Sequence, residues 1–521
     1  VLNEFYRQGP VAAHVVVSAG RKPRVVVAFP AGNSGTAVWF DAPAPLSWHP
    51  EVAIEPVRGG ALHGITADLT ATGGPIAVRQ AILSSVRVIR EYQDTGTAPS
   101  EILVAPEISE RAIVWKRPRL DGAAGYQLSV EVLGGSISKP REEQPLELAP
   151  ASNGQLRLRL TALTGDTPLT PIAEKDLLAA SAGPDARLRQ ILEFLSYEEK
   201  LTAGSWRFNT YFGRDTLMSV RLLAPVLQPR VVEAGLSSVL ERLNPAGEVA
   251  HEEDIGEFAV LRHVRAREPR SDAPVFDYKM IDDDFLLAPV VAHYLLETAA
   301  GRGRAATFLE RRTASGESYG ARLVRNFQFV VTATARFARD PGWQRLIALK
   351  AGENAGNWRD SGDGLGGGRY PYDVNGVFVP AALDAIGRLH AAGVLRPYLV
   401  SDAETLFSQA AGMADVWRRE APQLFDVVRP ELHFRAVALD AQGRPIPILN
   451  SDEAFALLFL DPAPQEAERI ASVLTRPFPA GLMTDVGLVV ANPAYAPADL
   501  QPLFGRNRYH GTVIWSWQQA M

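Results

Sequence analysis

The sequence predicts two domains of different class, an N-terminal antiparallel β-sandwich over residues 1–180 and an (α/α)6 barrel over residues 187–521. Three observations predict it. The chain has 521 residues, more than one hydrophobic core usually organises. Up to about residue 180 the apolar runs are short and β-branched, with Gly, Pro and Asn between them. Beyond that point apolar residues recur at helical spacing in about ten to twelve segments, a number that fits a barrel of six helical hairpins.

Taken in order, residues 13–19, 23–29, 36–40, 127–133 and 155–160 read as strands. Residues 75–92 suit a helix or a long buried strand equally, because a continuous apolar run has no diagnostic period. A Pro-rich, charged passage over 136–185 marks the domain boundary, and residues 188–195 open the helical series. Helices are expected over 216–227, 231–243, 284–298, 323–339, 374–392, 403–420, 452–460, 465–474 and 512–521. A solenoid of helical pairs is the weaker alternative, since no fixed-period repeat is visible.

Composition narrows the chemistry. Lys and Arg number 53 against 59 Asp and Glu, a formal charge of −6, so no basic face is evident for a row of phosphates and nucleic acid is not an expected partner. Cysteine is absent, which removes disulfides, thiolate metal sites and a thiol nucleophile, and leaves cytoplasmic and periplasmic locations equally open. No run of about 18 apolar residues is present to span a membrane. The chain opens on Val1 and closes on Met521 within an expected helix, so a leader or tail beyond either end stays open.

The most telling stretch is Arg207-Phe-Asn-Thr-Tyr-Phe-Gly-Arg-Asp-Thr-Leu217. It sets Arg214 and Asp215 between an aromatic-glycine turn at Phe212 and an apolar helical run. An arginine fork and a carboxylate side by side can grip neighbouring hydroxyls of one sugar ring. The same pair also suits an ordinary helix start, where a negative charge is favoured. The stretch resembles the Trp/Phe-Gly-Arg-Asp motif of glycogen-debranching α-1,6-glucosidases, and more loosely the Arg-Asp element of glucoamylases. That resemblance, covering about 205–521, implies an inverting glycoside hydrolase on an (α/α)6 barrel, acting on an oligosaccharide without a cofactor.

A glycine-dense loop, Ala355-Gly-Asn-Trp-Arg-Asp-Ser-Gly-Asp363, is closed by a helix starting near Asp373. It resembles the Trp-x-Asp loop of the debranching glucosidases, which makes Asp360 the general acid, Trp358 its apolar neighbour and Asp363 the fallback acid. Protonating a leaving oxygen asks for a carboxyl that apolar surroundings keep protonated. A calcium loop and a plain Asx-rich turn remain competing readings, although the spacing is not that of an EF-hand.

Two further clusters resemble sugar-binding walls of the same families. Gly247-Glu-Val-Ala-His-Glu-Glu253 supplies His251 and Glu252, and Asp277-Tyr-Lys-Met-Ile-Asp-Asp-Asp284 supplies Asp283 as a hydroxyl acceptor. Three consecutive aspartates also make a good helix start. No second histidine stands at a ligand spacing from His251, so no metal is expected. The run Arg508-Tyr-His-Gly-Thr-Val-Ile-Trp-Ser-Trp-Gln-Gln-Ala520 resembles the segment opening the last inner helix, with His510, Trp515 and Trp517 near the sugar; either Trp serves equally as core.

Inversion also needs a carboxylate base about 6.5–9.5 Å from the acid. Here the chain departs from the pattern, because Ile514 and Gln518 stand where the resembling families carry acids. Asp485 is the chosen candidate base, with Asp499, Asp452 and Glu453 as alternatives. The missing acid keeps two other functions open. One is a carbohydrate-binding barrel that has lost its base; the other is a phosphorylase that presents cationic residues, such as Arg508 or His510, to phosphate.

Overall fold

In the computed structural model, residues 2–49, 52–138 and 145–521 are described; Val1, Pro50, Glu51 and 139–144 of the boundary passage lie outside them. The chain divides into two compact units, Val1–Phe212 with Glu252–Phe276, and Gly213–His251 with Asp277–Met521.

The first unit holds two seven-stranded antiparallel sheets. One runs Leu2–Gln8, Val11–Ser18, Arg24–Phe29, Ser34–Asp41, Ile76–Ser85, Glu147–Ala149, Ser136–Ser138 in spatial order. The other centres on Leu62–Thr72, Gln155–Thr164, Tyr126–Gly134 and Ala112–Arg117. They share a core in which Val15, Val27 and Leu83 of the first meet Ile65, Leu128 and Leu158 of the second. Along Gln155–Thr164, Leu156, Leu158 and Leu160 are buried while Arg157 and Arg159 are exposed, the period-two pattern of a sheet with one wet face. Val11–Ser18 is buried at every position. Its second face is covered too: Val16, Val26, Trp39 and Ile82 pack with Val86, Ile89, Trp206 and Leu261.

That double burial resolves residues 75–92, where both readings occur in succession. The strand Ile76–Ser85 passes directly into the helix Val86–Thr95, and the Ser85 side chain caps its first turn by accepting from the Arg87 amide. The helix Ala186–Leu195, expected to open the barrel, belongs to the first unit instead. Its Phe194 lies 5.1 Å from Phe5 in an edge-on contact and is fully buried with Ala12 and Tyr197. An aromatic docking site on the sheet thus carries the unit beyond the expected boundary at 180–187.

The second unit is helical. Gly213–Leu223 packs on Pro229–Glu241 and on Asp282–Ala292, while Val379–Ala391 packs on Asp282–Ala292 and Ser401–Glu420. Asp282–Ala292 is buried on all sides, whereas Tyr319–Arg339 buries one stripe and exposes the other. Two widened π turns interrupt the series, at His293–Glu297 and at Asp373–Phe378. The helix expected over 512–521 is confined to Ser516–Ala520, and short strand pairs such as Asp426–Arg429 with Leu432–Arg435 were not foreseen.

Candidate functional site

Four segments of the second unit are laced together by main-chain bonds. Gly213 N donates to His251 O at 2.7 Å, His251 N to Asp277 O at 2.7 Å, and Ile281 N to Gly356 O at 2.7 Å. These bonds tie the segments that carry Arg214, Asp282 and Trp358–Asp360 together although they are far apart in sequence.

Arg214 is the centre of that convergence. Its Nη1 donates to Asp282 Oδ2 at 2.9 Å and its Nη2 to Asp360 Oδ2 at 3.0 Å. The guanidinium side chain is 5 % exposed, Asp282 is 0 % and Asp360 30 %, so one partner is sealed and the other faces solvent. Arg214 Nε is buried without a hydrogen-bond partner. Beside this pair His251 Nδ1 lies 3.0 Å from Asp283 Oδ2, both side chains buried, with Asp283 Oδ1 unpartnered. Asp215, in the first helical turn, is half-buried.

Burial sets the protonation pattern. It raises Asp282 to about 6, with Asp283 adding to the rise and Arg214 and His251 opposing it. Asp215 is raised chiefly by burial against the pull of Arg214 and His251. Asp373 is pushed well above the carboxylate range by burial, and then by Asp452 and Asp282; its Oδ1 accepts from Asn357 Nδ2 at 2.8 Å while Oδ2 has no partner.

The C-terminal segment closes the other side. Ser361 Oγ lies 2.8 Å from His510 Nδ1, and His510 Nε2 lies 3.5 Å from Asp360 Oδ1. Burial, then Arg359 and Arg214, lower His510 to about 2, so the ring is neutral and its approach to Asp360 is no ion pair. His510 Nε2 is buried without a hydrogen-bond partner, on the side facing Asp360. His510 stacks on Trp515 at 5.2 Å, and Trp358 meets both rings edge-on at 5.5 Å. Trp358 is 1 % exposed and offers no face to solvent, while Trp515 and Trp517 are half-buried.

Next to Asp360, Arg359 is wholly enclosed. It donates to Asp452 through Nε at 3.0 Å and Nη2 at 2.7 Å, to Val490 O at 2.7 Å and to His510 O at 3.3 Å, and lies 4.3 Å over the Trp358 ring. This bolts the Trp358–Asp360 loop to the segment carrying His510.

Phe212 and Glu252 belong to the first unit, where they form an isolated β-bridge with each other and Glu252 pairs with Arg87 at 3.0 Å. Within the second unit, several expected residues have other partners. Asp363 is paired at the surface with Arg508 at 2.9 Å. Asp485 is exposed at the tip of the hairpin joining Met483–Thr484 to Gly487–Leu488, and Asp499 is exposed as well. Asp452 is consumed by Arg359, and Glu453 by Arg469. Asp360 and Asp363 each turn to an arginine rather than to a common centre, unlike a calcium loop; among the described residues no three His, Cys, Asp or Glu side chains are grouped to hold a metal. Sequence reasoning missed Asp282, Arg359 and Asp373. Charged residues flanking Trp358 in a glycine-dense loop were the available signal for Arg359.

No protein-family model matches the sequence, and no curated protein matches it. A solved structure from the human microbiome, described as a kojibiose phosphorylase, aligns over 83% of this chain with 7% identity and a TM-score of 0.30. The chain spans 65% of that structure's length, and a likeness at this level decides nothing about fold or activity.

Proposed function

We propose that the second unit processes glycosidic bonds, holding a terminal glucose-like ring with Arg214 and Asp215 and using Asp360 as general acid. The observation that carries this is the Arg214–Asp360 contact, in which a solvent-facing carboxylate meets the guanidinium of a buried Arg–Asp pair. A donor fork and a proton-transferring carboxyl on one spot are what glycosyl transfer to water needs on the leaving-group side. In the finer reading the helices close as an (α/α)6 barrel, and the reaction is exo-acting hydrolysis of α-linked gluco-oligosaccharides with inversion.

One observation favours a second reading, a carbohydrate-binding protein without turnover. Asp452 and Glu453 are locked by arginines, and Asp485 and Asp499 face solvent away from any described contact with the cluster. A base is therefore not evident among the candidates. Both readings require sugar at Arg214. Titration calorimetry with α-linked gluco-oligosaccharides should show binding by the native chain and its loss in Arg214→Ala; equal binding by both would sink the two readings together.

A further inference from the structure

We propose that Arg214 is a counter-ion released by the ligand: when a glycosyl ring binds, Arg214 Nη2 leaves Asp360, and Asp360 takes up one proton from solvent as the sugar docks. This inference rests on the sugar-binding reading and adds to it the means by which the acid is loaded.

The two bonds of Arg214 are unequal. Asp282 is fully buried at a helix start packed on two others, so the Nη1 bond has nowhere to go. Asp360 is 30 % exposed on a loop carrying Gly356, Gly362, Gly364, Gly366, Gly367 and Gly368. Gly366 and Gly367 have φ of 58° and 84°, the left-handed region, and Gly364 leaves no room for a Cβ, which would lie 2.4 Å from Arg359 O. The glycines let the loop fold tightly on itself, and of the two carboxylates bonded to Arg214 only Asp360 is open to solvent, so the Asp360 bond is the one that incoming hydroxyls exchange. A hydroxyl is a weaker acceptor than a carboxylate, and the fork is already partnered by Asp282, so the exchange leaves Asp360 as the group without a cation.

No neighbour replaces it among the described residues. The titratable and charged groups of the cluster around Asp360 are Arg214 and Asp215 on one helix, His251 on the segment bonded to Gly213 and held 3.0 Å from Asp283, Asp282 and Asp283 on the next helix, Arg359 and Asp363 on its own loop, and Arg508 and His510 on the C-terminal segment. Arg359 is held by Asp452 and two carbonyls, and Arg508 by Asp363. His510 is neutral, offering a dipole rather than a charge. The remaining acids all repel a second carboxylate. A carboxylate that loses its guanidinium partner in such company is stabilised by a proton. In turnover that proton passes to the glycosidic oxygen as the bond from C1 to that oxygen breaks, a solvent water adds to C1 and gives up one proton to bulk solvent, and Arg214 returns to the Asp360 carboxylate when product leaves.

Calorimetry of the full chain at about pH 6, with an α-linked gluco-oligosaccharide in buffers of different ionisation enthalpy, reads proton uptake directly. The expected result is uptake approaching about one proton per sugar in the native chain and none in Asp360→Asn, which still binds. Binding without uptake, or undiminished uptake in Asp360→Asn, would overturn the inference while leaving the sugar-binding reading intact. Absence of any sugar binding overturns both. Where turnover is measured, the basic limb of kcat should lie at higher pH than that of kcat/KM, because the two report the bound and free states; coincident limbs would also overturn it.

Discussion

Arg214 and Arg359 each hold an aspartate by the same chemistry, yet they do different work. Arg359 and Asp452 are both 0 % exposed, and the guanidinium has four hydrogen bonds and a ring beneath it. Arg214 divides two bonds between a sealed partner and an open one and leaves Nε unpaired. The first pair is saturated, so it can only fasten. The second is unsaturated and reachable from one side, so it can exchange partners. Accessibility, not residue type, separates the bolt from the working contact.

The comparison breaks most visibly at the bolt. Arg359→Ala strands a buried carboxylate and should cost about 3–5 kcal/mol in denaturant unfolding, whereas Arg359→Met combined with Asp452→Leu should recover most of that loss. A small effect of the single change would mean that Arg359 fastens nothing. At the working contact the expected pattern is opposite. Asp360→Asn should lower turnover about 10²–10⁴-fold with a midpoint shift equivalent to less than about 1 kcal/mol.

What was legible in the sequence follows the same division. The strands around 155–160 and the Arg214–Asp215 helix start were readable because alternation and a glycine before an apolar run are local signals. The bolt was not, since Asp452 lies 93 residues from Arg359 and nothing local marks it as a partner rather than a base. Asp485 failed in the reverse way: its sequence neighbourhood is apolar, but the hairpin turns it to solvent. The boundary moved because Phe5, His14 and Phe194 meet only in three dimensions.

A pH titration sharpens the contrast further. Asp282 binds its proton more tightly folded than unfolded, from 3.8 to about 6. Its contribution is therefore full below about pH 4 and is lost as pH rises through about 6, with a slope up to about 1.4 kcal/mol per pH unit. Asp282→Asn should flatten that part of the curve in denaturant midpoints between pH 4 and 7. An unchanged slope would show Asp282 fully ionised by Arg214. The smallest effect belongs to Asp485→Asn, expected to change stability by less than about 0.5 kcal/mol and turnover by less than about twofold. A large loss of turnover there would restore it as the base.

The central claim is that glycosyl groups are processed at the Arg214–Asp360 contact. The most direct measurement follows α-linked gluco-oligosaccharides by proton NMR, with and without phosphate, in the native chain and in Asp360→Asn. The expected result is release of free sugar with inverted anomeric configuration, independent of phosphate and slowed about 10²–10⁴-fold in Asp360→Asn. Release that is equally fast in Asp360→Asn would contradict it.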